Sequence, residues 1–312
     1  MPIPLAHPAT KRRNFRSAEV DASRSVTICD QSACAPWSAP TLLRFWHLCS
    51  FDAPSVAVVW SLGFAWAVGV RLPIWTPALL ALGTWAVYIG DRLLDAHRAL
   101  ASGLSFSLRD RHFFHWRHRR ALVPLAVMAS ATALGIIVVC MPAAFRERNS
   151  LLGFAALAYF SGVHRPRRIR LPRVNLVSKE FLVGVLFTIG CVLPTLVRIP
   201  IRVSGPMPAG TILVAAFFFA ALAWLNCAAI QRWESGDANG IAPMGCMLGC
   251  AGIAAAMALC FVDARVAALL LSGSVSALLL ALLDRRRYQL TPLALRACAD
   301  VVLLTPLALL LG

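Results

Sequence analysis

The chain has 312 residues, of which 59% are hydrophobic and only 14% charged, and its mean hydropathy is +0.71; a soluble domain of this length does not carry that balance, so the composition indicates an integral membrane protein. With 30 Lys and Arg against 14 Asp and Glu the formal net charge is +16, yet the basic residues cluster between long apolar runs, which argues against nucleic acid and for membrane orientation and anionic lipid or phosphate partners. Nearly all of them are Arg, the side chain that suits phosphate recognition.

Residues 1–40 are polar, rich in Pro and Ser and without period, and read as a disordered tail. Within it, Lys11-Arg12-Arg13-Asn14-Phe15 is followed by no apolar stretch, so neither a twin-arginine export signal nor a cleaved signal peptide is expected. Leu42 to Phe51 suits a short interfacial helix lying on the membrane. The membrane domain, residues 41–312, then carries apolar runs of spanning or nearly spanning length: Ser55 to Val70, Ile74 to Leu94, Ala121 to Met141, Ser150 to Val163, Leu176 to Val197, Pro208 to Ile230, Ile241 to Phe261, Arg265 to Leu283 and Pro292 to Leu311. The fourth is short. Counting it as a crossing puts the tail and the basic segments Arg109 to Arg120, His164 to Arg170 and Arg285 to Arg287 on one side of the membrane; omitting it scrambles the bias. About nine spans with a cytoplasmic N-terminus are therefore expected. The tail and Arg-rich loops suit a bacterial inner membrane.

Two polar groups end on that cytoplasmic side. Asp91 and Asp95 lie four residues apart where the second run leaves the membrane, a spacing that sets both on one helix face, with Arg92 and Arg98 nearby. Asn226, Gln231, Arg232, Glu234 and Asp237 lie at the end of the sixth run. Carboxylates there are costly unless paired, hydrated or bound to a cation, so each group reads either as a salt-bridged helix terminus or as part of a site. Cys140, Cys191, Cys227, Cys246, Cys250, Cys260 and Cys298 fall inside apolar runs and read as small buried residues, while the pairing of Cys29 and Cys34 is open. Gly245-x-x-x-Gly249 reads as a close helix contact. The run His112-x-x-His115-x-x-His118 reads as part of a basic amphipathic loop over the site or against anionic lipid, with zinc an option if a carboxylate joins.

These residues resemble the UbiA superfamily of intramembrane prenyltransferases, which has nine helices and Asp-rich motifs at the cytoplasmic ends of helices two and six. Asp91-Arg92-Leu93-Leu94-Asp95 is similar to the latter half of the first motif, with Val87 and Tyr88 where that family has Asn-Asp, and Arg98 to Gly103 looks like the Arg-Pro-Leu-x-Ser-Gly that often follows. Asn226, Glu234, Asp237 and Gly240-Ile241 resemble a degraded second motif; Tyr159, Arg165 to Arg170, Lys179, Gly184 and Gly190 resemble the stretch after helix four. The resemblance implies an all-α fold of about nine transmembrane helices around a central cavity open to the cytoplasmic side. It also implies Mg²⁺-dependent transfer of a prenyl group from a polyprenyl diphosphate to an unidentified acceptor, possible classes running from aromatic acids to lipids. Asp91, Asp95, Glu234 and Asp237 are then the metal ligands, with Asn226 beside them. Tyr88, Arg92, Arg98, Tyr159, Arg165, Arg168, Lys179 and Gln231 are the substrate-binding residues. Mg²⁺ prefers oxygen ligands and is commonly held by one or two carboxylates plus substrate phosphates; guanidinium groups grip two phosphate oxygens at once; and the faces of Tyr88, Tyr159 and Trp224 suit an allylic cation. Two other readings stand beside this one: a non-catalytic relative that binds lipid or assists assembly, consistent with the missing carboxylates at Val87, Tyr88 and Asn226, and a transporter, which lacks the expected internal repeat.

Overall fold

A computed structural model describes residues 40–101, 110–147, 179–199 and 206–312. The regular elements among them are helical: α1 (Thr41–Leu48), α2 (Asp52–Ala67), α3 (Trp75–Ala101), α4 (Asp110–Arg117), α5 (Arg119–Val139), α6 (Lys179–Leu196), α7 (Pro206–Ser235), α8 (Ala242–Leu259), α9 (Ala264–Arg285), α10 (Pro292–Val301) and α11 (Leu307–Leu311), with 3₁₀ turns at Arg287–Gln289 and Val302–Leu304. The all-α class is therefore as expected. Local chemistry sets the helix starts: Asp263 accepts from the Val266 N–H at 3.2 Å to cap α9, and Thr291 accepts from the Ala294 N–H at 3.3 Å ahead of Pro292 to cap α10.

Four helices among the described residues are long and apolar enough to cross a membrane: Arg119–Val139, Gly210–Ser235, Ala242–Leu259 and Ala264–Arg285. A fifth arises only if α1 and α2, which meet at 87°, count as one broken span. The fourth apolar run, Ser150 to Val163, lies outside the described residues, as do the tail with Cys29 and Cys34. The ninth run is not one helix. Pro306 has no N–H to give the Val302 carbonyl and its ring crowds that turn, so α10 ends and a 3₁₀ turn follows. The Trp60 indole takes up a carbonyl at the break, donating to Leu303 O at 2.8 Å, and the Thr305 hydroxyl ties the turn to α9, donating to the Ser272 carbonyl at 2.8 Å.

The core lies between α2, α7 and α9. Trp60 stacks on Phe219 with ring centroids 4.0 Å apart, and Phe64, Ile212, Leu222 and Leu269 are buried around them. Small residues bring other helices together. A side chain at Gly245 would put its Cβ 2.9 Å from Ala281 Cβ, so α8 and α9 approach as the glycine pattern predicts; at Gly184 it would lie 2.9 Å from the Trp224 backbone N, which brings α6 against α7. The cysteines correct one expectation: Cys191 is buried, but Cys140, Cys250 and Cys260 are exposed. On a membrane helix the outer face meets lipid, so a small apolar residue has no need of the interior.

Candidate functional site

The turn between α1 and α2 builds the centre of a buried polar network. Ser50 N donates to the His47 carbonyl at 3.1 Å and Phe51 N to the Trp46 carbonyl at 3.0 Å, the hydrogen-bond pair of a Schellman turn. Its left-handed position, usually glycine, is Ser50 with φ 62°. Arg92 enters from α3, fully within the protein, and donates from Nη1 to Ser50 Oγ at 2.5 Å and to the His47 carbonyl at 3.2 Å. Its Nη2 lies 3.3 Å from Asp52 Oδ2. The guanidinium also sits 5.6 Å from the centre of the Tyr88 ring, one turn back on the same helix.

From α4, His115 closes the other side. Its Nδ1 lies 2.7 Å from the Arg111 carbonyl, which only accepts, so Nδ1 carries the hydrogen and Nε2, 3.0 Å from Ser50 Oγ, accepts the serine hydroxyl. Burial, reinforced by the Arg92 cation, pushes the imidazole down to about 4, which keeps it neutral. On the opposite flank His47 Nδ1 lies 2.8 Å from Asp52 Oδ2 and 3.8 Å from Asp300 Oδ2. Asn226 Nδ2 donates to Asp300 Oδ1 at 3.2 Å.

His47 also forms part of the wall of a cavity of about 330 Å³ at the end of α7. Arg111, Glu234, Asp237, Arg287, Tyr288 and Arg296 make up the rest of its polar lining, and Ile230, Trp233, Leu290, Pro292, Leu293 and Leu295 are the apolar part. Glu234 pairs with Arg296 and lies 3.9 Å from Arg111 Nη2. Arg287 is held at 3.3 Å from Asp284 Oδ1 and donates to the Ala238 carbonyl at 2.8 Å. The site is thus a mostly apolar cavity with three guanidinium groups from three elements.

Compared against protein-family models, curated proteins and solved structures, the chain matches none. Of the residues singled out in the sequence, Asn226 and Arg92 lie in the buried network with Tyr88 against it, and Glu234 and Asp237 lie in the cavity wall. Arg92 is occupied by Asp52 and Ser50 rather than turned to the cavity. Asp91 is half-buried and Asp95 and Arg98 are exposed, because α3 turns Ile89, Arg92 and Ala96 inward. Gln231 is exposed, and Lys179 opens α6. Tyr159, Arg165 and Arg168 lie outside the described residues.

The expected Mg²⁺ ligands fall in two places, Asp91 and Asp95 on α3 and Glu234 and Asp237 at the end of α7. Asp91 and Asp95 are not part of the cavity wall, Glu234 is neutralised by Arg296 and Arg111, and Asp237 accepts from the Asn239 N–H at 2.9 Å. Sequence reasoning passed over His47, Ser50, Asp52, Arg296 and Asp300. Arg296 and Asp300 carried a signal: an opposite-charge pair at i,i+4 inside the ninth apolar run, where ionisable groups are functional by default.

Proposed function

We propose that this chain is a nine-span membrane protein, with its N-terminus and Arg-rich loops on the cytoplasmic side of a bacterial inner membrane, that takes an isoprenoid diphosphate into the cavity at the end of α7 and transfers the prenyl group to an acceptor. The observation that carries this reading is the cavity wall, in which Arg111, Arg287 and Arg296 face a largely apolar space. A diphosphate head needs concentrated positive charge and its isoprenoid tail needs apolar surface. In the transfer, the C1–O bond of the donor breaks and the diphosphate leaves with the bonding pair. A nucleophilic atom of the acceptor bonds to C1 and releases its proton. The guanidinium groups hold the charge that grows on the leaving group. Glu234 keeps Arg296 and Arg111 in place beforehand, and the diphosphate takes over these partners on binding.

A second reading, binding of a phosphate-bearing lipid without chemistry, is favoured by one observation: of the four acids expected to hold Mg²⁺, only Glu234 and Asp237 line the cavity, and Asp91 and Asp95 do not. One experiment separates the two. Binding of a geranylgeranyl diphosphate analogue is measured with and without Mg²⁺ for wild type, Arg111→Gln/Arg287→Gln and Asp91→Asn/Asp95→Asn, followed by diphosphate release from the natural donor with a panel of acceptors. Binding weakened at least tenfold in the arginine variant, with diphosphate release, supports transfer. The same binding without release supports the second reading. Mg²⁺-dependent binding lost in the aspartate variant would move the metal to α3, and no binding at all would sink both readings.

A further inference from the structure

Three acceptor atoms from three helices or their ends converge behind the cavity. His47 Nδ1, Asp52 Oδ2 and Asp300 Oδ2 all lie within 4.8 Å of one another. The outer oxygens of both carboxylates are already held: Asp52 Oδ1 accepts from the Ala53 N–H at 3.0 Å, and Asp300 Oδ1 accepts from Asn226 Nδ2 at 3.2 Å. Each acid therefore has one oxygen fixed by a donor and turns the other to a common point, where Asp52 Oδ2 also accepts from Arg92 Nη2 at 3.3 Å. Ligands oriented by outer hydrogen bonds in this way are the usual construction of a metal site.

His47 is 3% exposed and meets Asp52 Oδ2 at 2.8 Å through Nδ1, so imidazole and carboxylate already face each other at this point. One further atom at this point lacks a partner. Asn226 is 6% exposed and its Oδ1, on the amide that donates to Asp300, has no partner. Buried groups of this kind are costly unless something completes them. Arg92 supplies one positive charge for two carboxylates and contacts Asp52. A divalent cation between the acids and the imidazole would supply the second positive charge.

We propose that His47, Asp52 and Asp300 bind a divalent cation of the zinc class, with Asn226 or a ligand from the cavity completing the coordination. The donor set decides the class. Zinc takes imidazole nitrogen and carboxylate oxygen together at about 2.0–2.2 Å, so tetrahedral ligand atoms lie about 3.4 Å apart. The observed separations of 2.8 and 3.8 Å bracket that spacing. Mg²⁺ prefers an all-oxygen set with several waters, which this dry nitrogen-containing group does not offer. His47 also lines the cavity, which gives the cation a route in. The site stands independently of prenyl transfer.

The test uses untagged full-length protein in detergent, stripped with a chelator. Zn²⁺ and, for comparison, Mg²⁺ are titrated by calorimetry into wild type, Asp300→Asn, His47→Gln and His112→Gln/His118→Gln, and the melting temperature of wild type is read with and without Zn²⁺. One Zn²⁺ per chain is expected, with a raised melting temperature and no comparable response to Mg²⁺. Asp300→Asn and His47→Gln each weaken binding at least tenfold, and the double variant leaves it unchanged. Absence of both Zn²⁺ binding and a melting shift in wild type overturns the proposal, a result that needs no variant to fold. Binding that persists in Asp300→Asn, or that disappears in the His112/His118 variant, overturns it as well.

Discussion

Arg92 Nη1 donates to Ser50 Oγ at 2.5 Å, tying the middle of α3 to the left-handed turn between α1 and α2. The same hydroxyl partners His115. Ser50 is thus held at φ 62° although a Cβ there costs roughly 1–2 kcal/mol. Ser50→Ala keeps that strain and leaves a buried guanidinium N–H and an imidazole nitrogen without their partner, a loss of about 1–3 kcal/mol. Ser50→Gly loses the same hydroxyl but relieves the strain. Both variants are expected to be less stable than wild type, with Ser50→Gly more stable than Ser50→Ala by about 1 kcal/mol. Urea unfolding in detergent, followed by tryptophan fluorescence, orders the three proteins.

His115 gives the fold a dependence on pH. Its folded value, about 4, lies below the ordinary histidine value of 6.5. Between the two, the unfolded chain binds a proton that the folded chain refuses, so stability rises with pH across this window. The contribution is complete above pH 6.5, declines as pH falls toward 4 and then levels off. Its steepest slope is about 1.4 kcal/mol per pH unit. His115→Gln removes this component, so the wild-type melting temperature is expected to fall more steeply than that of the variant between pH 6.5 and 4, and to run parallel with it above pH 7.

The helical class and the larger spans were legible because apolar runs and their breaks announce themselves in hydropathy. The close contact at Gly245 was legible for the same reason: two glycines four residues apart in an apolar run make a flat strip. The buried network was not. Its key turn has serine where glycine usually signals a helix end, and Asp52 stands at the start of a run, where an acid is an ordinary helix-start residue. In α3 the charges between Asp91 and Arg98 are too dense for composition to reveal which one turns inward. The phase of the helix decides, and it puts Arg92 inside and Asp95 outside. Asn226 was legible because an amide in an apolar run needs a partner; that the partner is Asp300, 74 positions later, is a property of the fold.

Contact between α8 and α9 leaves no room for a branched side chain. A Cβ at Gly245 would lie 2.9 Å from Ala281 Cβ and 3.0 Å from the Ala277 carbonyl oxygen. Neither neighbour has a flexible end that can swing away, so the helices themselves must separate. Gly245→Val is expected to cost about 1–3 kcal/mol or more, with lower yield of folded protein. At Gly83, with nothing within 4 Å of the added Cβ, Gly83→Ala is expected to be neutral or stabilising, since alanine is the better helix former by about 1 kcal/mol. A thermal melt of the two variants beside wild type checks the contrast.

Asp284 fixes the rim of the cavity from the end of α9. Its Oδ1 accepts from the Trp233 indole at 2.7 Å and faces Arg287 Nη1 at 3.3 Å. Its Oδ2 accepts from Ala242 N at 2.8 Å, satisfying one of the open donors at the start of α8. One carboxylate thus joins the end of α7, the start of α8 and an arginine of the cavity wall, and Gly240 has no Cβ because that carboxylate fills the space. Asp284→Asn leaves a single acceptor for these donors and turns an N–H₂ toward one of them. The expected loss is about 2–4 kcal/mol, since a charge-assisted bond is broken and a buried donor is left unpaired. Trp233 emission is expected to shift to the red as its indole N–H loses its partner, and binding at the cavity to weaken because Arg287 is no longer held. Gly240→Ala attacks the same contact from the other side. If its melting temperature falls while that of Asp284→Asn stays at the wild-type value, the carboxylate is a space-filling group and not the anchor of the rim.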